Sequence, residues 1–81
     1  MTSNYVVKFK NSMGNLRRIG QLRADSEDDA VFKAMEKIKT FCDDRSYRIP
    51  YTRYWKQGDT IIFDVGSHTE FFHLLPTEKD R

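Results

Sequence analysis

The densest run of chemically capable side chains is Tyr47-Arg48-Ile49-Pro50-Tyr51-Thr52-Arg53-Tyr54-Trp55-Lys56. Aromatic rings stack on nucleobases and cations grip phosphate, so this mixture is what a nucleic-acid surface requires. Aromatic and arginine side chains are equally favoured at protein–protein hot spots. In a plain structural role, Tyr51 and Trp55 are core and the arginines form a solvated face. Strand alternation puts Tyr51, Arg53 and Trp55 on one side and Thr52, Tyr54 and Lys56 on the other. With Trp55 turned toward a helix, Tyr54 and Lys56 are exposed beside Lys8 and Lys10. Those two lysines share one face of an earlier strand, and Arg17, Arg18 and Arg23 lie in or near its partner strand. Such a basic hairpin meets phosphates or an acidic protein surface, or simply protects a sheet edge from aggregation.

His68 and His73, with Asp64, Glu70 and Cys42, raise a metal or acid–base reading. Two histidines five apart do not face together on a helix, and they point to opposite faces of a strand. No CxxC or HExxH spacing is present, so neither a metal site nor a cofactor is expected. Asp64 with His68 or Glu70 makes an acid–base pair only if the loop folds back over a cleft. A sheet with one helix has little depth for a cleft, so a compact enzyme around Asp64, His68 and Glu70 ranks last and no catalytic residue is expected. Gly66-Ser67 lacks the G-x-S-x-G context of a nucleophile elbow and reads as a bend. Cys42 falls on an apolar stripe beside Asp43 and Asp44, which disfavour a thiolate, so it reads as a small core hydrophobe.

The elements that must position these residues follow from periodicity. Tyr5, Val7 and Phe9 alternate with Val6, Lys8 and Lys10, the period of a half-buried strand. Asn11 to Asn15 is a turn cluster with Gly14 suited to positive φ. A second strand, Leu16 to about Arg23, completes a hairpin, with Gly20 marking a bulge or a close backbone approach. Ser26 is a helix N-cap with Asp29 three residues later, a shortened capping box. Glu27, Asp28 and Asp29 suit the positive end of the helix dipole. Ala30, Val31, Ala34, Met35, Ile38, Phe41 and Cys42 form one apolar stripe, and the helix is predicted to end near Asp43. Pro50 places Asp44 to Pro50 in a loop. Tyr51 to Lys56 and Thr60 to Val65 form a second hairpin around Gln57-Gly58-Asp59. Residues 71–75 fit a fifth strand better than a short helix capped by Ser67 and Glu70. The predicted fold is α+β: an antiparallel sheet of two β-hairpins with a fifth strand, and one helix packed across one face. Residues 1–76 make one domain and residues 77–81 a polar tail.

Composition sets the class of protein. The chain of 81 residues carries 32% charged and 14% aromatic residues, an aromatic content that disordered chains lack. With one cysteine it has no internal disulfide, which points to a reducing cytoplasm. No signal-peptide pattern opens it and no apolar run approaches a bilayer span, so no membrane partner is expected. The net charge of +2 is distributed in blocks. Residues 1–23 hold five cations and no acid, and residues 45–58 hold four cations and no acid. Residues 24–44 hold seven acids against three lysines. The sign of the charge therefore follows the elements.

The strand, strand, helix, strand, strand order resembles that of very small phage-encoded inhibitors of bacterial defence, including anti-CRISPR proteins. The matching parts are Tyr5-Val6-Val7-Lys8, the helix entry Ala24-Asp25-Ser26 leading to Ala30 and Ala34, and the hairpin from Trp55 to Phe63. The resemblance implies a non-enzymatic inhibitor in the host cytoplasm that docks on a larger protein or nucleoprotein complex and blocks its nucleic-acid channel. From the residues themselves, the binding set is Lys8, Lys10, Arg17, Arg18, Arg48, Arg53, Tyr54, Trp55 and Lys56. Direct nucleic-acid binding through the same residues is the alternative. Exposed strand edges leave a homodimer open.

Overall fold

A computed structural model describes residues 2–77. In chain order the elements are β1 (Ser3–Lys10), β2 (Leu16–Ala24), α1 (Glu27–Asp44), β3 (Arg53–Gln57), β4 (Thr60–Asp64) and β5 (Phe71–Pro76). The fold is α+β, with all five strands in one antiparallel sheet ordered β2-β1-β5-β4-β3. The two hairpins form as predicted, but they do not touch each other along a strand. The fifth strand enters between them, pairing Val7 with Leu74 on one side and Ile61 with Leu74 on the other. Its sequence, Phe-Phe-His-Leu-Leu-Pro, has apolar side chains for both faces, as a central strand needs.

Local chemistry sets the element ends. In the first turn Asn11 Oδ1 accepts from the Met13 and Asn15 N–H groups, and Gly14 takes φ 89°. Val7 faces Gly20 while Lys8 faces Arg18, so Ile19 is the extra residue of a β-bulge. Gly20 also lies under the helix, where a Cβ would come within 2.9 Å of Lys37 Cδ. The bulge expected near Gly20 is present one residue before it, and the close neighbour of Gly20 is a lysine side chain rather than backbone. Ser26 Oγ accepts from the Asp29 N–H at 3.1 Å, and Asp29 Oδ2 accepts from the Asp25 N–H at 3.2 Å. These two bonds form a capping box displaced by one residue. The helix ends in a Schellman motif: Tyr47 N–H donates to Cys42 O at 2.8 Å and Ser46 N–H to Asp43 O at 3.1 Å. Ser46 adopts the left-handed φ of 59° that the motif requires.

The third strand begins at Arg53 rather than Tyr51, because the Tyr51 hydroxyl is held by His68 in the loop that follows β4. Thr77, predicted as the start of the tail, donates its N–H to Asn4 O at 2.9 Å; residues 78–81 lie outside the described residues.

One side of the sheet carries the core. Val7, Leu22, Ile61, Phe63, Phe72 and Leu74 meet Ala30, Ala34, Ile38, Phe41 and Cys42 of the helix. The two alanines leave room for the helix to approach the sheet. Phe9, Phe41 and Phe72 form a three-ring cluster with centroids 4.9–5.6 Å apart, which ties the C-terminal half of the helix to β1 and β5. Ser26→Ala removes the N-cap acceptor and is expected to lower stability by about 1 kcal/mol. Urea titration should show a lower midpoint with an unchanged slope; an unchanged midpoint would mean that the cap is replaced by water without loss.

Candidate functional site

Side chains opposite the helix form a second, open face. Paired residues in an antiparallel sheet point to the same side, so the registers assign every position. One row crosses all five strands: Arg18 on β2, Lys8 on β1, His73 on β5, Ile62 on β4 and Trp55 on β3. A neighbouring row holds Leu16, Lys10 and Phe71. Trp55 stands edge-on to Phe71 with centroids 6.2 Å apart. Together with Lys10, Gln57, Thr60, Ile62 and His73 they line a shallow hollow of about 490 Å³.

The electrostatics of this face are one-sided. Lys8 stands directly opposite Arg18, and directly opposed like charges normally destabilise a sheet. Among the described residues the ion pairs are Lys33–Asp29, Arg53–Asp64, Lys56–Glu27 and His68–Asp64, none of which neutralises Lys8, Lys10 or Arg18. His73 feels the result. Burial pushes its imidazole below the usual histidine pKa, and Lys10 and Lys8 push it further in the same direction. The one carboxylate that the strands give to this face, Asp64, is fully buried.

The structure brings Lys8, Lys10, Arg18, Arg53 and Trp55 of the expected binding set onto the open face, with the Arg53 guanidinium 5.4 Å from the Trp55 ring centre. It separates the other four. Tyr54 and Lys56 lie on the helix side, the reverse of the facing described above for Trp55 toward the helix. Tyr54 packs on Phe63 at 5.5 Å, and Lys56 Nζ pairs with Glu27 of the helix at 2.8 Å. That carboxylate holds the lysine above its ordinary pKa. Arg17, opposite Phe9, also points to the helix side. Arg48 belongs to a hollow of about 460 Å³ behind the sheet, with Cys42, Val65, Glu70 and Phe72. Trp55 faces away from the helix because the helix lies over β2, β1 and β5, which leaves nothing above β3 to bury an indole. Ile62, Phe71 and His73 complete the open face and were missing from the expected set. The alternation of β5, once placed beside β1, is the signal that finds them.

The candidate acid–base group resolves into an anchor. Asp64 and His68 do meet, with His68 Nδ1 3.2 Å from Asp64 Oδ2 and His68 Nε2 2.7 Å from the Tyr51 hydroxyl. Asp64 Oδ2 also accepts from Arg53 Nε and a terminal nitrogen at 3.2 and 3.0 Å. Its Oδ1 accepts from the Gly66 and His68 N–H groups at 2.9 and 3.3 Å. Burial pushes this carboxyl up, but these hydrogen bonds and the nearby His68 outweigh it and hold the pKa below the ordinary value. With both oxygens engaged, Asp64 fastens the loop between β4 and β5, in which Gly66 takes φ 114° and His68 φ 66°. Glu70 stays apart, on the hollow behind the sheet. Cys42 is buried there; burial, Asp43 and Glu70 raise its thiol pKa against the opposing pull of Arg45. Among the described residues no three His, Cys, Asp or Glu side chains are placed to share a metal ion. None of the described helices is long and apolar enough to cross a membrane.

No known protein-family model, curated protein or solved structure matches this chain. The residues therefore carry the functional argument alone.

Asp64 also sets an acid limit on stability. A carboxyl whose pKa is depressed by folding stabilises the fold above its unfolded value of about 3.9, and that contribution is lost as pH falls through the folded value. Asp64→Asn is expected to cost about 1–3 kcal/mol at pH 7 and to flatten the acid limb of the stability profile. Urea melts between neutral and acid pH check this; an unaltered acid limb would remove Asp64 as its source.

Proposed function

We propose that this protein is a non-enzymatic binding module whose open sheet face receives a single strand of nucleic acid. The observation that supports this best is the row of Arg18, Lys8 and His73, which has no ion-pair partner among the described residues, running toward Trp55 and Phe71. A polyanion relieves the repulsion that the row builds in. Stacking on the exposed Trp55 indole, with the half-buried Phe71 ring beside it, supplies a contact that any base can use. A shallow, open face suits an unpaired strand, whose bases are free to turn toward the protein.

A second reading rests on a different observation. Tyr47, Tyr51 and Tyr54 remain 47%, 44% and 54% exposed along the segment from the helix end to β3. Tyrosines of this kind anchor protein interfaces, and they support a protein-docking module, of which an anti-CRISPR-like inhibitor of a nucleic-acid-handling complex is one form.

Anisotropy titrations with labelled single- and double-stranded oligonucleotides separate the two. The first reading expects single-strand binding that weakens steeply with salt. Lys8→Ala and Arg18→Ala should each reduce the salt slope by about 0.7. Trp55→Ala should cost about 1–3 kcal/mol, roughly 5- to 150-fold in affinity. Absence of single-strand binding at low salt would sink that reading and leave the tyrosine surface as the candidate. A second expectation concerns pH. His73, with its lowered pKa, is neutral near pH 7, and a bound phosphate favours its charged form. Affinity should therefore rise as pH falls below the ordinary histidine value of about 6.5, and His73→Gln should remove the rise. A pH profile identical in wild type and His73→Gln would take His73 out of the contact.

A further inference from the structure

The outer edge of β3 carries an inference that does not depend on what the open face binds. It ends the sheet, its five residues are all exposed, and among the described residues no backbone group pairs with its outer side. An unpaired edge is a template for another strand. We propose that β3 pairs antiparallel with β3 of a second copy of this chain, giving a two-fold symmetric dimer with a continuous ten-stranded sheet.

One symmetric register uses the whole length of the strand. Symmetric pairing centred on Trp55 uses all five residues of the strand. It places Trp55 opposite Trp55, Tyr54 opposite Lys56, and Arg53 opposite Gln57 of the other copy. No like charges meet, and the two indoles become cross-strand neighbours, a favourable aromatic pair. A shift of one residue sets Arg53 against Lys56 and also turns the open face of one copy toward the helix side of the other. Centring on Arg53 or Lys56 opposes that cation to itself.

The opposite edge of the sheet behaves differently. Symmetric pairing of β2 about Gly20 would bring Arg17 against Arg23, and the bulge at Ile19 breaks the ladder. In these registers the β2 edge opposes two cations and the β3 edge opposes none. Both helices then lie on one side of the dimer, and the two open faces merge with the Trp55 pair at the centre.

Gln57 provides a test of both signs. Its side chain is exposed on the open face beside the hairpin turn, so substitution leaves the core intact. The Arg53–Gln57 pair occurs twice in the dimer. Gln57→Arg opposes like charges at both places and Gln57→Glu opposes unlike charges. The dimer dissociation constant should rise roughly fivefold in the first and fall roughly fivefold in the second. Sedimentation equilibrium of the protein without nucleic acid reads this directly, against a monomer mass of 9.6 kDa. Far-UV circular dichroism verifies that both variants fold, and an indole exciton band that grows with concentration identifies the Trp55 pair. A monomer at every concentration to about 0.5 mM, or shifts of the same sign in the two variants, would overturn the proposal.

Discussion

The two hairpins share no ladder, so the sheet exists only through the strand between them. Phe72 and Leu74 on β5 face Phe9 and Val7 on one neighbour and Phe63 and Ile61 on the other. The aromatic cluster of Phe9, Phe41 and Phe72 fastens the helix to this same seam. Where β5 enters is decided by the loop before it, and that loop is folded around one buried carboxylate. Asp64 gathers Arg53, Gly66 and His68, while Pro50 packs so closely over Gly66 that a Cβ there would come within 2.5 Å of its ring. An ion pair at the end of β4 thus governs the register of the strand that joins the two halves.

A sheet covered on one side only must present its other side to solvent, and here that side is cationic at β2 and β1 and aromatic at β5 and β3. The gradient arises because β5 contributes side chains to both faces. Phe72 and Leu74 point into the core, and Phe71 and His73 point out between the lysines and the indole. Apart from the buried Asp64, the strands give this surface no acid. The helix carries acids in its first and last turns, and Glu27 neutralises Lys56 from behind the sheet. Segregation of charge by element, visible as blocks along the chain, becomes segregation of charge by face.

The helix, its cap and both turns were legible because each is encoded within a few residues. Ser26, Gly14 and the Ala30–Cys42 stripe act locally, and tertiary context only reinforced them. The facing of Trp55 was not legible. Alternation along β3 separates Tyr54 from Trp55 but does not say which side meets the helix, since β4 offers apolar Ile61 and Phe63 to one face and Ile62 to the other. Only the position of the helix over β2, β1 and β5 decides it. The roles of Asp64 and His68 were half legible. Their residue types suggested proximity and chemistry, whereas the filling of both carboxylate oxygens depends on Arg53, eleven residues earlier, and on backbone groups that no side-chain pattern reveals.

Because the central strand of the sheet is the last of the five in chain order, the ribosome delivers the joining piece after both edges. Until residues 71–76 leave the exit tunnel, β1 and β4 each have an unsatisfied inner side and the Phe9–Phe41 surface lacks its third ring. Folding must therefore wait for a contact that spans nearly the whole described chain, between Tyr5 and Pro76. Long-range closure of this kind slows folding relative to local hairpin formation.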